Sequence, residues 1–213
     1  MDLYFSPLAC SMASRICLYE AGATANFIEV DPKTKRTLDG ADYCAVNPLG
    51  LVPALRTDGG TVLLENAAIL QFIADHHPGG ALAPRDGLPR SQLQQWLSFV
   101  GTELHKTLFV PLFDKALADS TKAKVLEIGG RRLAYLDHHL AGRDFLLERF
   151  SVADAYLFTV LNWNIATSVD LKAWPSIEGY YSRMKMRPAI ARALKEEFAL
   201  YAEEQKRRMV GAL

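Results

Sequence analysis

The stretch Ser6-Pro7-Leu8-Ala9-Cys10-Ser11-Met12-Ala13-Ser14 constrains this chain more than any other. The apolar run before it, Leu3-Tyr4-Phe5, reads as a strand. After it, Met12, Ile16 and Tyr19 recur at i, i+4 and i+7, the spacing of one helix face. Cys10 and Ser11 therefore fall where a strand hands over to a helix N-terminus. The first N–H groups of a helix lack internal partners, and the helix dipole sets positive potential there. A thiol in that place has its anionic form stabilised. The same place suits an incoming thiolate or carboxylate. A plainer reading stands beside this one: free cysteine is often a small buried hydrophobe.

The residues that follow give this stretch its context. Gly22 is a helix stop, and Asn26-Phe27-Ile28-Glu29-Val30 reads as a second strand. Strand, helix and strand in that order form a parallel βαβ unit, right-handed by strong preference. Lys33, Lys35 and Arg36 read most simply as a solvated basic loop. In Asn47-Pro48-Leu49-Gly50-Leu51-Val52-Pro53-Ala54-Leu55, Pro48 and Gly50 punctuate a turn. Pro53 opens a β-type run, either as an ordinary trans residue on an edge strand or after a cis bond. A cis Val52-Pro53 bond would turn the Val52 N–H and C=O outward, where an extended ligand backbone can pair with them. Asp58-Gly59-Gly60 between two apolar runs signals a hairpin. Glu65-Asn66 then opens a helix carrying Ala68, Ile69, Phe72 and Ile73, which ends before Pro78. Asn66 is a good N-cap type, and Glu65 is favoured by the dipole, so capping accounts for both. The functional alternative is that Glu65 grips an amino-acid zwitterion.

Residues Pro78 to Pro89 are rich in glycine, proline and alanine and read as an inter-domain linker. Everything beyond reads as helical. Leu93, Trp96, Leu97, Val100 and Leu104 make one apolar stripe, and Pro111 bends or ends that helix. Ser98 and His105, seven residues apart, are expected to share another stripe. On residue type alone His105 is a satisfied, partly buried histidine. A second helix runs from about Lys122 to Leu140, with His138 and His139 suiting its C-terminal pole. Ser151-Val152-Ala153-Asp154 is an N-capping pattern, opening a segment, Ala155 to Leu161, that is apolar nearly all round and so buried. Pro175 and Pro188 punctuate two more helices. The charged end, Glu196 to Arg208, is expected to fray.

Composition narrows the function classes. Lys plus Arg equals Asp plus Glu, 24 each in 213 residues, so nothing favours nucleic acid or an anionic membrane as partner. Cys10, Cys17 and Cys44 are an odd set with no metal-ligand spacing, which argues against a disulfide scaffold and against a structural metal site. A reducing compartment fits best. The N-terminus has neither the basic region nor the apolar core of a secretory signal, and no run is long enough to span a bilayer. A cytoplasmic protein is expected.

The order β-α-β-(α)-β-β-α, with Cys10 at the first helix and Val52-Pro53 before the third strand, looks like a thioredoxin-type fold. The whole chain resembles the bacterial beta-class glutathione S-transferases. The resemblance rests on Ala9-Cys10-Ser11, on Asp42-Tyr43 leading to Val46-Asn47-Pro48 and Gly50, and on Val52-Pro53-Ala54-Leu55. It continues through Glu65, Thr102-Glu103-Leu104-His105-Lys106 and Ser151-Val152-Ala153-Asp154-Ala155-Tyr156.

The resemblance implies an α/β thioredoxin-like glutathione-binding domain over 1–79, a linker over 80–88 and an all-α C-terminal domain over 89–213. It implies conjugation of the glutathione thiolate to apolar electrophiles, in the service of detoxification. Glutathione would be a co-substrate, with no permanently bound cofactor, and the chain would form a homodimer. On that carry-over Cys10, Ser11 and His105 are catalytic, with His105 a donor or proton partner to the sulfur. Glu65 and Asn66 hold the γ-glutamyl end, Val52, followed by Pro53, pairs with the cysteinyl backbone, and Lys35 takes the glycine carboxylate. Ser98, Glu103 and Lys106 join Cys10 and His105 in the glutathione-binding set, near the site or a dimer interface, although a solvated helix face is the plainer reading of Glu103 and above all of Lys106. The chain departs from the family pattern at Asn66, where a small residue is usual, and at Ser98, where an Asn is common. Two other functions stay open: a monothiol glutathione-dependent disulfide reductase working through Cys10, since Ala13 excludes a dithiol mechanism, and a non-catalytic binding module of the same fold.

Overall fold

The computed structural model describes residues 1–77 and 81–210, the last of these by backbone alone. Pro78-Gly79-Gly80, where the first domain's boundary and the start of the linker were expected, lies outside the described residues. By packing the chain forms two compact units, Met1–Leu82 with Arg187–Leu213, and Ala83–Met186.

The first unit is built on a five-stranded sheet. Strands β1 (Asp2–Phe5), β2 (Asn26–Asp31), β3 (Arg36–Thr37), β4 (Ala54–Arg56) and β5 (Val62–Leu64) lie in the order β3-β2-β1-β4-β5. β1 runs parallel to β2, with Leu3 opposite Phe27, and antiparallel to β4. The parallel pair demands a crossover, which is helix α1 (Met12–Glu20). That helix stops at Ala21, and Gly22 takes φ +63°, a left-handed conformation that glycine adopts without steric cost. The Asp58–Gly60 turn joins β4 to β5 as an antiparallel hairpin. Successive side chains on a strand point to opposite faces. Leu3 and Phe5 accordingly fall on one face of β1, both buried. Tyr4 falls on the other, clustered with Val30, Tyr43 and Ala54.

The segment between β2 and β4 departs from the expected loop at β3, while the short helix expected there is a single 3₁₀ turn. The basic loop forms a short edge strand, β3, and Tyr43–Ala45 forms a 3₁₀ turn whose first N–H groups are met by Asp42, which accepts from the Cys44 N–H at 3.0 Å. Two residues are too few to show a period, so β3 left no pattern to read. Helix α2 (Asn66–His76) begins one residue earlier than a cap at Asn66 requires. Glu65 is its N-cap residue and makes no side-chain capping bond, while Asn66 is buried in the first turn.

The second unit, which has helices but no strand among its described residues, holds α3 (Gly87–Phe99), α4 (Val110–Phe113), α5 (Asp119–Leu140), α6 (Val152–Leu161) and α7 (Pro175–Lys185). Between α3 and α4 the backbone winds as a π-helix from Val100 to Phe109. Its wider i→i+5 turn is seen where the Thr107 hydroxyl donates to the Thr102 carbonyl and the Val110 N–H to the His105 carbonyl. This corrects the expected stripe. Ser98 is exposed and His105 buried, because seven residues no longer make two turns once the helix widens. The apolar positions Leu93, Trp96, Leu97, Val100 and Leu104 are all buried. So is every residue of α6. At its start the Asp154 carboxylate accepts from the Ser151 N–H and hydroxyl, the Leu146 N–H and the Tyr180 hydroxyl, at 2.9–3.1 Å. His139 is structural, its Nε2 at 2.9 Å from the Leu146 carbonyl.

The C-terminal helix α8 (Pro188–Val210) groups with the first unit, although the sequence division assigned it to the second domain. Nor is its charged end a frayed tail: Glu197 and Glu204 are buried, with Glu197 bonded to Arg15 of α1. Arg187 pairs bidentately with Glu20 at 2.9 and 3.0 Å, and Arg207 pairs with Glu29 of β2. Periodicity carries no information on such pairings, because the partners lie more than 160 residues apart.

Candidate functional site

The candidate site is built on the loop Ser6–Ser11 at the C-terminal end of β1. Both ends of that loop are tied to each other. The Ser11 hydroxyl donates to the Ser6 carbonyl at 3.2 Å and accepts from the Ser6 N–H at 3.3 Å. Ser11 is wholly buried, so its hydroxyl shapes the loop and does not face a ligand. Cys10 stands beside it, partly exposed, just ahead of α1. Its Sγ donates to the Val52 carbonyl at 3.3 Å. The reading of Cys10 as a wholly buried hydrophobe therefore does not hold.

Val52 belongs to a segment fastened from two sides. The Asn47 side-chain amide and the Tyr43 hydroxyl both donate to the Leu51 carbonyl, at 2.7 and 2.8 Å. The Asn47 carbonyl oxygen of the side chain accepts from Leu49 N–H at 3.1 Å. Burial pushes the Tyr43 hydroxyl up to about 12, so it stays a donor at any physiological pH. The Val52-Pro53 bond is cis. Lys35 lies against the same segment: a Cβ added to Gly50 would stand 2.8 Å from the Lys35 Cδ, and Gly50 itself takes φ +60°. The positive φ is what calls for glycine at position 50, since the Lys35 side chain is long enough to yield.

Glu65 and Asn66 open α2 on the same side of the sheet's connectivity. Glu65 holds φ +67° and ψ +119°, a conformation that costs a non-glycine residue on the order of 1–3 kcal/mol and gathers at functional sites. Its side chain is exposed and uncommitted to capping. Asn66 does something else. Its amide donates to the Cys10 carbonyl at 3.1 Å, and its carbonyl accepts from the Ser14 hydroxyl at 3.0 Å. The Asn66 side chain is a brace between α2 and the Cys10 turn, so only its backbone is left to a ligand.

The remaining sequence candidates lie in the other unit. His105 is buried, with Nδ1 2.7 Å from the Tyr156 hydroxyl and its ring edge-on to Trp163 at 4.9 Å. Burial, aided by the Lys106 charge, lowers it to about 4, so the ring is neutral at pH 7. Glu103 pairs with Arg132 at 2.9 Å, and Ser98 and Lys106 are exposed. The structure brings together Cys10, Ser11, Val52, Pro53, Asn66 and Glu65 around one loop system, with Lys35 against its outer edge. Among the described residues no group of three or more His, Cys, Asp or Glu is placed to hold a metal. No helix among them is long and apolar enough to cross a membrane.

Sequence reasoning missed Tyr43 and Asn47 as supports of the Val52 segment, and Arg15 and Glu197 beneath the loop. Arg15 left a signal. It is a charge within the unbroken buried run Met12–Leu18, which requires a buried partner without saying which acidic residue supplies it.

Known proteins match both halves of the chain. Residues 2–75 match the family described as glutathione S-transferase, N-terminal domain, and residues 102–188 match glutathione S-transferase, C-terminal domain. Glutathione S-transferase GstA of Escherichia coli O157:H7 is 41% identical over 199 residues, covering 92% of this chain and 98% of the relative. A sphingomonad glutathione S-transferase solved with glutathione superposes with a TM-score of 0.88 at 46% identity, over 92% of this chain and 98% of that one. The ternary complex of BphK, a bacterial transferase, gives 0.89 at 43% identity, over 92% and 99%.

Proposed function

Since the chain belongs to the glutathione S-transferase family, we propose that it binds glutathione at the Cys10 loop and transfers the thiolate to apolar electrophiles. The observation that carries this reading is the Glu65 carboxylate, exposed, unused as a cap and held at a left-handed φ beside the braced Cys10 turn. Glu65 takes the γ-glutamyl ammonium, and the N-terminal N–H groups of α2, starting at Asn66, receive its carboxylate. The Val52 backbone, ahead of Pro53, pairs with the cysteinyl residue. Lys35 reaches the glycine carboxylate. The sulfur comes to the N-terminus of α1 beside Cys10 and Ser11, where positive potential favours thiolate. The thiolate attacks the electrophilic carbon, the new S–C bond forms as the leaving group departs with its electron pair, and the thiol proton passes to solvent. Holding nucleophile and electrophile together supplies much of the rate.

The role proposed for His105 is that of a neutral imidazole, because its ring is buried and its Nδ1 lies 2.7 Å from the Tyr156 hydroxyl. Ser98, Glu103 and Lys106 are assigned to the surface of a homodimer. A cytoplasmic location goes with an odd set of three cysteines, Cys10, Cys17 and Cys44.

A second activity rests on the partial exposure of Cys10. Its thiolate attacks a glutathionyl disulfide, forming the mixed disulfide Cys10–SG and releasing the other thiol, as a monothiol reductase requires. Spectrophotometric assay of glutathione conjugation to an activated aryl halide, with Glu65→Ala as comparison, tests the main reading. Wild-type turnover that falls at least about tenfold in the variant supports it; equal rates count against it.

A further inference from the structure

The loop that carries Cys10 contains one residue in an unfavourable conformation. Leu8, two residues before Cys10, has φ +59°. A side-chain-bearing residue there brings its Cβ against the following carbonyl, so something outside the loop must hold it. The contact is with α8. The Leu8 N–H donates to Glu197 Oε2 at 2.7 Å. The other carboxylate oxygen, Oε1, accepts from Arg15 Nε at 2.9 Å. Glu197 has no solvent exposure, and Arg15 almost none. The Arg15 guanidinium lies over the Phe5 and Phe27 rings, 4.3 and 4.0 Å from their centroids, and donates also to Tyr19 and Glu196. One buried carboxylate therefore joins the C-terminal helix, the middle of the Cys10 loop and the first helix.

Such an arrangement is costly as a source of stability alone. Burying a charged pair is repaid only by full hydrogen bonding, and apolar residues of the same volume often do as well. What an apolar residue cannot supply is an acceptor for the Leu8 N–H. The loop's ends are closed by Ser6 and Ser11, Ala9 N–H donates to the Ser6 carbonyl at 3.1 Å, and the Leu8 bond adds to these a tie from α8 at the middle of the path. We infer that Glu197 is a positioning residue for the sulfur site. By holding Leu8 in its left-handed conformation, and being held in turn by Arg15, it fixes where the Cys10 Sγ stands against the Val52 carbonyl. This rests on the reading of Cys10 as part of the sulfur site. It adds that the site is completed from α8, some 190 residues away in the chain.

The test follows the alkylation of Cys10 by iodoacetamide at fixed pH, the S–C bond forming as iodide leaves, read by intact and peptide mass. It uses no glutathione, so it succeeds or fails apart from the binding reading. A Cys44→Ser background removes the other accessible thiol, Cys17 being buried. Glu197→Gln keeps a carbonyl for the Leu8 N–H while its amide NH2 replaces the oxygen that pairs with Arg15; Glu197→Leu removes the Leu8 acceptor as well. The expected alkylation rate stays within about threefold of the parent in Glu197→Gln and changes by about tenfold or more in Glu197→Leu. Leu8→Gly combined with Glu197→Leu should bring the rate back toward the parent, since glycine takes positive φ without the bond. Thermal melts run alongside. A purely structural Glu197 predicts instead that reactivity is unchanged in every folded variant. That result overturns the inference, as does failure of Leu8→Gly to restore the rate, or a chain that stays unfolded in both Glu197→Leu backgrounds.

Discussion

The side-chain amide of Asn66 donates to the main-chain carbonyl of Cys10 over 3.1 Å, while its oxygen accepts from Ser14. The start of α2 is thereby fastened to the start of α1 at the residue that carries the thiol. Asn66→Ala would strand the Ser14 hydroxyl and the Cys10 carbonyl without this partner. The expected cost is about 1–3 kcal/mol of unfolding free energy, measured by urea denaturation. Asn66→Asp should cost at least as much, because it faces the Cys10 carbonyl with an acceptor.

Cys10→Ala should abolish the glutathione mixed disulfide while leaving measurable conjugation. On the proposed reading the tripeptide is held through Glu65, Val52 and Lys35, and α1 still presents its N-terminus to the sulfur. Intact mass after exposure to oxidised glutathione reads the first effect, and the aryl halide assay reads the second. Complete loss of glutathione affinity in this variant would show that Cys10 itself is the anchor.

Asp154 carries more than a helix cap. A cap alone is worth about 0.5–2 kcal/mol. Here four donors converge on a carboxylate with no solvent exposure. Asp154→Ala leaves several of them buried and unmet, so the expected loss rises to about 3–5 kcal/mol. Chemical denaturation measures it. Glutathione affinity below the melting transition should stay at the wild-type value, since none of the proposed glutathione ligands contacts this cap.

The pH dependence of stability separates His105 from the buried acids. Burial lowers His105 from 6.5 to about 4. Between these values the unfolded chain binds a proton that the folded chain does not. The His105 contribution is therefore present above pH 6.5 and lost as pH falls through about 4. Burial raises Asp154 from 3.8 to about 6 and Glu197 from 4.5 to about 7, despite the hydrogen bonds and the Arg15 charge that oppose it. Their contributions run the other way, full below the lower value and lost as pH rises through the upper. His105→Gln should remove the rising component between pH 4 and 6.5, leaving stability that declines as pH increases over that window. Urea midpoints across the range check this; a His105→Gln profile parallel to wild type would mean that the ring is protonated in the folded chain.

Much of the first unit was legible because its signals are local. β1, β2 and the β4–β5 hairpin follow from apolar runs bounded by Gly22 and Asp58-Gly59-Gly60, and the Cys10 turn follows from a change of period. The candidate residues Cys10, Val52 and Glu65 stand out in the sequence only as a set in family order. Three things were not. The π-helix at Val100–Phe109 moved Ser98 and His105 to different surroundings, because a widened turn changes the spacing rule without changing residue types. The Asn66 brace was hidden because a helix-start asparagine has an adequate local explanation as a cap. The docking of α8 through Glu197, Arg187 and Arg207 was hidden because charged positions on a helix look solvated until their partners are seen. Long-range polar pairs are specified by tertiary structure, and each sits beneath a feature that local pattern alone identified.

The central claim is that the first unit binds glutathione through Glu65 and the Val52 segment. Calorimetric titration of glutathione into the reduced protein at neutral pH tests it most directly, with Glu65→Ala run in parallel. The account predicts saturable binding at one site per chain, weakened by about 2 kcal/mol or more in the variant as a charge-assisted contact is lost. No heat of binding at millimolar glutathione, or equal affinity in both proteins, would contradict it.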